Sequence, residues 1–134
     1  MDTPPARCIV ALFLVACISA GCGRITQPDC VALPATSACA PPVAITVTAT
    51  SAAGGPVPGL TYTSSGALSN SGPCQPAGTT TVCTIFGGQG TYNVLLTAPG
   101  FQDNTLSVTV TGTMPQCGCP IIQTQQASVV LIPK

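Results

Sequence analysis

The sequence Gly-Thr-Tyr-Asn-Val-Leu-Leu-Thr-Ala-Pro-Gly-Phe, residues 90–101, predicts a β-strand that ends in a tight turn. With a two-residue period, Tyr92, Val94 and Leu96 share one face of the strand, and the residues between them share the other. The last four residues fit a type II turn, because proline presets φ at the second position and glycine supplies the positive φ needed at the third. We expect Phe101 to begin a return strand that continues through residues 105–111, with an irregularity at Asp103 and Asn104.

Four other stretches have the same signature of short strands bounded by turn residues: residues 43–51, 60–63, 79–86 and 125–132. In the first of them, Ile45, Val47 and Ala49 would face a core while the threonines between them face water. Residues 64–78 are polar, small and proline-containing, and we expect a long excursion there. No stretch of ten or more residues after the N-terminal segment has the apolar spacing of an amphipathic helix. The pattern predicts an all-β sandwich.

The chain is nearly free of charge. It has 134 residues, a formal net charge of zero, no His and no Trp. A nucleic-acid partner requires a basic face that displaces counterions from phosphates, and a polybasic membrane site requires clustered Lys and Arg. The composition therefore excludes both kinds of site. The charged residues are Asp2, Arg7, Arg24, Asp29, Asp103 and Lys134.

Groups suited to catalysis are scarce. Without a histidine there is no base for a Ser or Thr nucleophile of a hydrolase triad. Asp29 and Asp103 are far apart in sequence, and we interpret Asp103 as a turn or bulge residue. Residues 87–90, Gly-Gly-Gln-Gly, lie between two predicted strands with no Lys, so they do not fit a phosphate-binding loop. We expect no enzymatic activity and no cofactor.

Residues 1–21 resemble a bacterial lipoprotein signal peptide. Arg7 is the cation of a short n-region, and residues 8–18 form an apolar run too short to cross a bilayer core of about 30 Å. Ser19-Ala20-Gly21 then precedes Cys22. The resemblance implies that Cys22 is lipidated and becomes the mature N-terminus. Because no acidic residue follows it, the resemblance also implies the outer membrane or cell surface of a Gram-negative cell.

Two alternatives to this assignment exist. Cys17 follows Leu14-Val15-Ala16 and is a competing lipidation site, but it would leave an apolar run of only about nine residues, near the short end for a signal peptide. An ordinary secretory signal cut near Ala20 or Gly21 is the other alternative. Residues 22–42 contain four prolines and no hydrophobic period, so we interpret them as a tether, extended in part as polyproline II.

The cysteine count supports Cys22. Of nine cysteines, Cys8 and Cys17 lie in the predicted signal, and removing Cys22 leaves an even set of six. Lipidation at Cys17 would leave Cys22 as an odd thiol in an oxidising compartment. The six remaining cysteines are Cys30, Cys39, Cys74, Cys83, Cys117 and Cys119.

Cys74 and Cys83 close a local loop and are the first predicted disulfide. Cys117 and Cys119 are too close in sequence to bond each other without strain, so we expect them to bond Cys30 and Cys39 in either order. Each bridge would contribute about 2–4 kcal/mol. That matters for a small core, for which we expect four aromatic residues: Tyr62, Phe86, Tyr92 and Phe101.

A zinc thiolate site is the alternative use of the cysteines. Cys117-x-Cys119 spaces its two sulfur atoms by one intervening residue, whereas zinc sites usually have two to four, and the chain has no histidine to complete a set. We therefore predict no metal.

Residues 43–132 resemble a carboxypeptidase regulatory-like domain, which is a transthyretin-like, Greek-key-type sandwich of about seven strands. The resemblance rests on Gly-Pro-Val-Pro-Gly-Leu-Thr-Tyr at residues 55–62 and on the longer motif at residues 90–101. The chain departs from the family pattern at residues 64–86, which contain two cysteines. The domain is assigned to residues 43–134, and its turn and fold motif comprises Gly90, Tyr92, Pro99, Gly100 and Phe101.

In that family, such domains accompany enzymes or surface receptors without catalysing a reaction. The resemblance therefore implies a non-catalytic structural or protein-interaction module, here held at the membrane by its lipid and facing an envelope protein. The alternative is a module that binds a small ligand or surface polysaccharide through the excursion at residues 64–78.

Overall fold

A computed structural model describes residues 39–115 and 118–134 of the chain. Within these ranges the structure is entirely β, and no helix there is long and apolar enough to cross a membrane. The strands are β1 (Val43–Ser51), β2 (Thr61–Gly66), β3 (Asn70–Pro73), β4 (Gln75–Ala77), β5 (Thr80–Phe86), β6 (Gly90–Thr97), β7 (Asn104–Val110), β8 (Gly112–Thr113), β9 (Ile121–Ile122) and β10 (Gln125–Leu131).

Two four-stranded sheets make the sandwich. The first has the order β10-β1-β5-β4 and the second the order β3-β2-β6-β7, while β8 and β9 form a separate hairpin. Across the sandwich, β7 packs against β1 and β10, and β2 packs against β5. The pair of β1 and β10 is parallel, and every other strand pair is antiparallel. The predicted all-β sandwich is therefore confirmed.

The core lies between the two sheets, and the alternation in β1 and β6 determines which side chains enter it. Tyr92, Val94 and Leu96 are buried while their neighbours on β6 are exposed. Ile45, Val47 and Ala49 are buried on β1 in the same way. Both expectations are confirmed. The other buried hydrophobic residues are Ala44, Val57, Leu60, Tyr62, Cys83, Ile85, Ala98, Val110, Val129 and Leu131.

The turn after β6 has the expected geometry, but the return strand begins later than expected. The Phe101 N–H donates to the Ala98 carbonyl (3.2 Å), and Gly100 has a φ of +76°. Phe101 lies outside the return strand and forms an isolated antiparallel bridge with Pro133 near the C-terminus. β7 instead starts at Asn104, opposite Leu96, and pairs with β6 in unbroken register. The predicted irregularity is present at Asp103, which lies outside any strand between the Phe101 bridge and β7, but Asn104 is already paired in β7.

Residues 64–78 are mostly strand, which corrects the expectation of a long excursion. β2 runs on to Gly66, β3 pairs with β2, and β4 pairs with β5. The buried Ser64 hydroxyl closes the β2–β3 connection by accepting a hydrogen bond from the Asn70 N–H (3.1 Å). β3 and β4 lie at sheet edges and are largely exposed on both faces, so their sequences lack the apolar alternation that marks a half-buried strand.

Only two of the four expected core aromatics are fully in the core. Tyr62 and Tyr92 are buried, Phe101 is partly buried, and Phe86 is 41% exposed. The expectation that Phe86 lies in the core is wrong, because β5 has apolar residues on both faces. Cys83 and Ile85 turn inward, and the two-residue period then directs Phe86 outward.

Candidate interaction surfaces

The predicted fold motif holds the start of β6 against the adjacent turns. Gly90 has a φ of +137°, and a Cβ added there would lie 2.6 Å from the Ala67 Cβ, so only glycine fits. The Tyr92 ring is buried, and its hydroxyl donates to the Gly88 carbonyl (2.8 Å). Burial raises the pKa of the Tyr92 phenol, because the phenolate would lose its hydration in the core. Tyr92 is thus a core anchor whose polar end is satisfied.

The other half of the motif packs against the loop that joins β1 to β2. A Cβ on Gly59 would lie 3.3 Å from the Pro99 ring, so the two stretches on which the family resemblance rests are in contact. The same loop is fastened to β5 by Thr81, whose buried hydroxyl accepts from the Val57 N–H (2.9 Å) and donates to the Val57 carbonyl (3.1 Å). Residues 52–60, 98–103 and 132–134 together form one end of the sandwich, which we call the turn end.

The two charged side chains of the described residues, Asp103 and Lys134, are both at the turn end. The Lys134 N–H donates to the Gly100 carbonyl (2.9 Å), which brings the C-terminus beside the β6–β7 connection. In the described ranges, no three His, Cys, Asp or Glu residues gather where they could hold a metal ion. Asp29 lies outside the described residues.

The chain enters the sandwich at the opposite end, which we call the tether end and define by residues 39–42, 67–69, 87–89, 111–115 and 118–124. A disulfide joins Cys39 to Cys119 across a sequence separation of 80, with the Cα atoms 5.6 Å apart. The Gly87 N–H donates to the Pro42 carbonyl (3.0 Å), which fixes the segment before β1. The pairing of Cys39 with Cys119 is one of the two orders expected. Cys17, Cys22, Cys30 and Cys117 lie outside the described residues.

The second disulfide reinforces one side of the sandwich. Cys74 and Cys83 are bonded as predicted, with the Cα atoms 4.3 Å apart. The bond ties the connection between β3 and β4 to the centre of β5. The two edge strands on this side are short and contain Pro73 and Pro76, a residue type that blocks further strand pairing. We call this the closed side.

The opposite side of the sandwich, where β7 and β10 are the edges, is built differently. Each of these strands has seven residues, no proline and no charge. In the described part of the chain, neither strand has a partner on its outer edge. Most of the partly buried hydrophobic residues that pack on the core lie along this side: Phe101, Leu106, Val108, Ile122 and Ala127. We call this side the open side.

The outer face of the β3-β2-β6-β7 sheet is a surface of hydroxyl groups. The register aligns Ser71, Thr63, Leu95 and Thr105 in one row, and Ser65, Asn93 and Ser107 in the next. Leu95, 39% exposed, is the large apolar side chain within it. Such a surface is the ordinary solvent side of alternating strands, and it offers neutral hydrogen-bonding groups but no titrating one.

Several exposed apolar side chains belong to the tether end. Leu68 lies in the β2–β3 turn, Phe86 ends β5, and Met114 and Ile121 belong to the β8–β9 region. Ile121 also lines a depression of about 270 Å³, together with Thr111, Gly112, Thr113 and Gln123. Its lining contains no ionisable side chain, so it lacks the groups that would orient a charged ligand.

The sequence did not predict the two unlike sides of the sandwich. It also did not predict that the charged side chains gather at the turn end and several exposed apolar side chains at the tether end. Both depend on which strands become edges, and that is decided by pairing between residues distant in sequence.

Neither a family model, nor a curated protein, nor a solved structure matches this chain.

Proposed function

We propose that the protein is a non-catalytic lipoprotein of the bacterial cell envelope, whose β-sandwich is a structural or protein-interaction module. The disulfide between Cys39 and Cys119 carries this proposal. Disulfides persist in oxidising compartments, and this one fastens the segment before β1 to the loop before β10. Because the disulfide bonds the tether to the domain, the place of an N-terminal anchor would determine where the folded domain is held.

The proposed anchor is the lipid on Cys22, with Cys17 as the competing site and an outer-membrane or cell-surface location. The tether end would then face the membrane. The exposed Leu68, Met114 and Ile121 at this end support that orientation, because apolar side chains are better tolerated beside lipid headgroups than in open water. The turn end, with Asp103 and Lys134, would face away from the membrane.

We further propose that residues 43–134 are a carboxypeptidase regulatory-like domain of the transthyretin-like, Greek-key type. Support comes from the contact between Gly59 and Pro99, which joins the two sequence blocks on which the resemblance rests. A non-catalytic role fits the chemistry of the described surfaces, where hydroxyl, amide and apolar groups dominate. Such surfaces suit a protein partner better than a reaction that needs a proton donor or acceptor near neutrality.

The anchor is tested by exporting the chain in cells fed a clickable fatty acid, with Cys22→Ser and Cys17→Ser variants compared. We expect the parent and the Cys17→Ser protein to be labelled and recovered with membranes, and the Cys22→Ser protein to be neither. Labelling that depends on Cys17 would move the anchor to the competing site. An unlabelled parent protein in the soluble fraction would contradict the lipoprotein proposal.

A further inference from the structure

The open side exposes a strand edge that the fold leaves without the usual protection. Sheet edges in monomeric proteins are commonly blocked by proline, by charge or by shortness, and β3 and β4 on the closed side have two of these features. β7 has none of them. Its backbone is paired on one edge only, to β6, within the part of the chain that the structure describes.

The side chains of β7 leave apolar area to be covered. Leu106 and Val108 point toward the core but are only partly buried. Their partners on the central strand β6, Val94 and Tyr92, are completely buried. A strand added beside β7 would therefore cover apolar surface as well as pair the free backbone groups. Apolar burial contributes roughly 25 cal/mol per Å², which adds to the backbone hydrogen bonds of such a pairing.

We propose that β7 pairs antiparallel with β7 of a second copy of this chain, joining the two β3-β2-β6-β7 sheets into one continuous eight-stranded sheet. The sequence of β7 is chemically symmetric about Ser107, since it reads Thr, Leu, Ser, Val, Thr from residue 105 to residue 109. Full overlap of the seven-residue strand with its copy places Ser107 opposite Ser107. It also pairs Leu106 with Val108 on the core face and Thr105 with Thr109 on the outer face.

The pattern favours β7 over β10 as the pairing edge. The inward residues Val129 and Leu131 of β10 are already 7% and 1% exposed, and the partly buried Ala127 is small. On the core face, a strand added to β10 would thus cover little further apolar area, and the exposed Val130 (58%) lies on the outer face of that strand. A second copy is also a suitable partner for β7 because the strand has no charged residue, so two identical edges meet without charge repulsion.

The inference does not rest on the proposed lipid anchor. Antiparallel pairing about Ser107 directs the two tether ends in opposite directions. In the dimer the two tether ends therefore cannot both face the membrane, so the orientation described above applies to a single copy.

The proposal is tested by cysteine crosslinking of the full exported chain at Ser107. Residues opposite each other in antiparallel strands have Cα atoms about 4.5–5.5 Å apart, within the range that a disulfide bridges. We expect S107C to give a covalent dimer under mild oxidation, with the native disulfides intact by mass. Two matched controls should stay monomeric. They are N93C, the outward-facing neighbour of Ser107 on β6, and S128C, at the centre of β10.

A charged variant tests the same contact without crosslinking. V108K places an ammonium group at the proposed apolar contact, and we expect the dimer to weaken at least tenfold in sedimentation while the circular dichroism spectrum is retained. S71K, on the outer face of the closed-side strand β3, should leave the dimer unchanged. A monomeric parent protein, a crosslink at S128C instead of S107C, or an undiminished V108K dimer would each overturn the proposal. If V108K fails to fold, the S107C result decides.

Discussion

Replacing Thr81 with valine should destabilise the sandwich more than its conservative appearance suggests. The Thr81 side chain is 2% exposed and Val57 is 1% exposed, so the contact between them is sealed from water. Its hydroxyl satisfies both the N–H and the carbonyl of Val57, at 2.9 and 3.1 Å. Valine has nearly the same shape but no hydrogen-bonding group. The variant therefore leaves two backbone groups buried without partners.

The magnitude follows from the desolvation cost of these groups. A buried polar group that loses its partner costs about 1–3 kcal/mol, so two of them cost about 2–6 kcal/mol. The added methyl group returns roughly 0.8 kcal/mol of apolar burial, and some relaxation of the loop lowers the cost further. We expect a net loss of about 2–3 kcal/mol. For a domain of this size that corresponds to a melting temperature lower by about 8–24 °C.

The assay is denaturant unfolding of the oxidised protein, with Thr84→Val as the matched control. Thr84 lies on the same strand but on its outer face, so its replacement should change the free energy of unfolding by less than about 0.5 kcal/mol. Equal stabilities for the two variants, or a Thr81→Val protein as stable as the parent, would refute this account of how the β1–β2 loop is held.

Three further predictions use the same unfolding assay or a simple titration. Replacing both Cys74 and Cys83 with alanine should cost about 2–3 kcal/mol, as the loss of a loop constraint of this length implies, and a cost near zero would show the bond to be dispensable. The Gly100→Ala substitution should lower the free energy of unfolding by about 1 kcal/mol, because φ at Gly100 is +76°. The Gly88→Ala substitution should lower it by less than half of that, because Gly88 has open space around it and no positive φ. Burial raises the folded-state pKa of Tyr92 above its ordinary value of 10.0, so the stability that the protonated phenol contributes is complete below pH 10 and is lost as the pH rises further. A Tyr92→Phe protein should lack this loss of stability at alkaline pH. Identical stability–pH profiles for the parent and the variant would contradict this prediction.

The alternating strands could be predicted because each signal is local. Inward apolar residues occur at alternate positions in β1, β5, β6, β7 and β10. The turn at residues 98–101 is predicted by Pro99 and Gly100. The disulfide between Cys74 and Cys83 was also predictable, since a short loop favours the local pair.

What could not be predicted depends on neighbours distant in sequence. β3 and β4 become strands only because β2 and β5 supply hydrogen-bonding partners, and their own residues give no alternation. The parallel pairing of β10 with β1 has no sequence signal at all. Phe86 faces outward because the register of β5 directs Ile85 inward. The unlike open and closed sides follow from these pairings, so they too were beyond a reading of the sequence.

The central claim, an exported and lipid-anchored sandwich stapled by disulfides, is tested most directly by the intact mass of the protein extracted from membranes with detergent. We predict a chain that begins at Cys22, carries acyl mass, and gains about six hydrogens on reduction, as three disulfides require. An unacylated chain whose mass does not change on reduction would contradict the account.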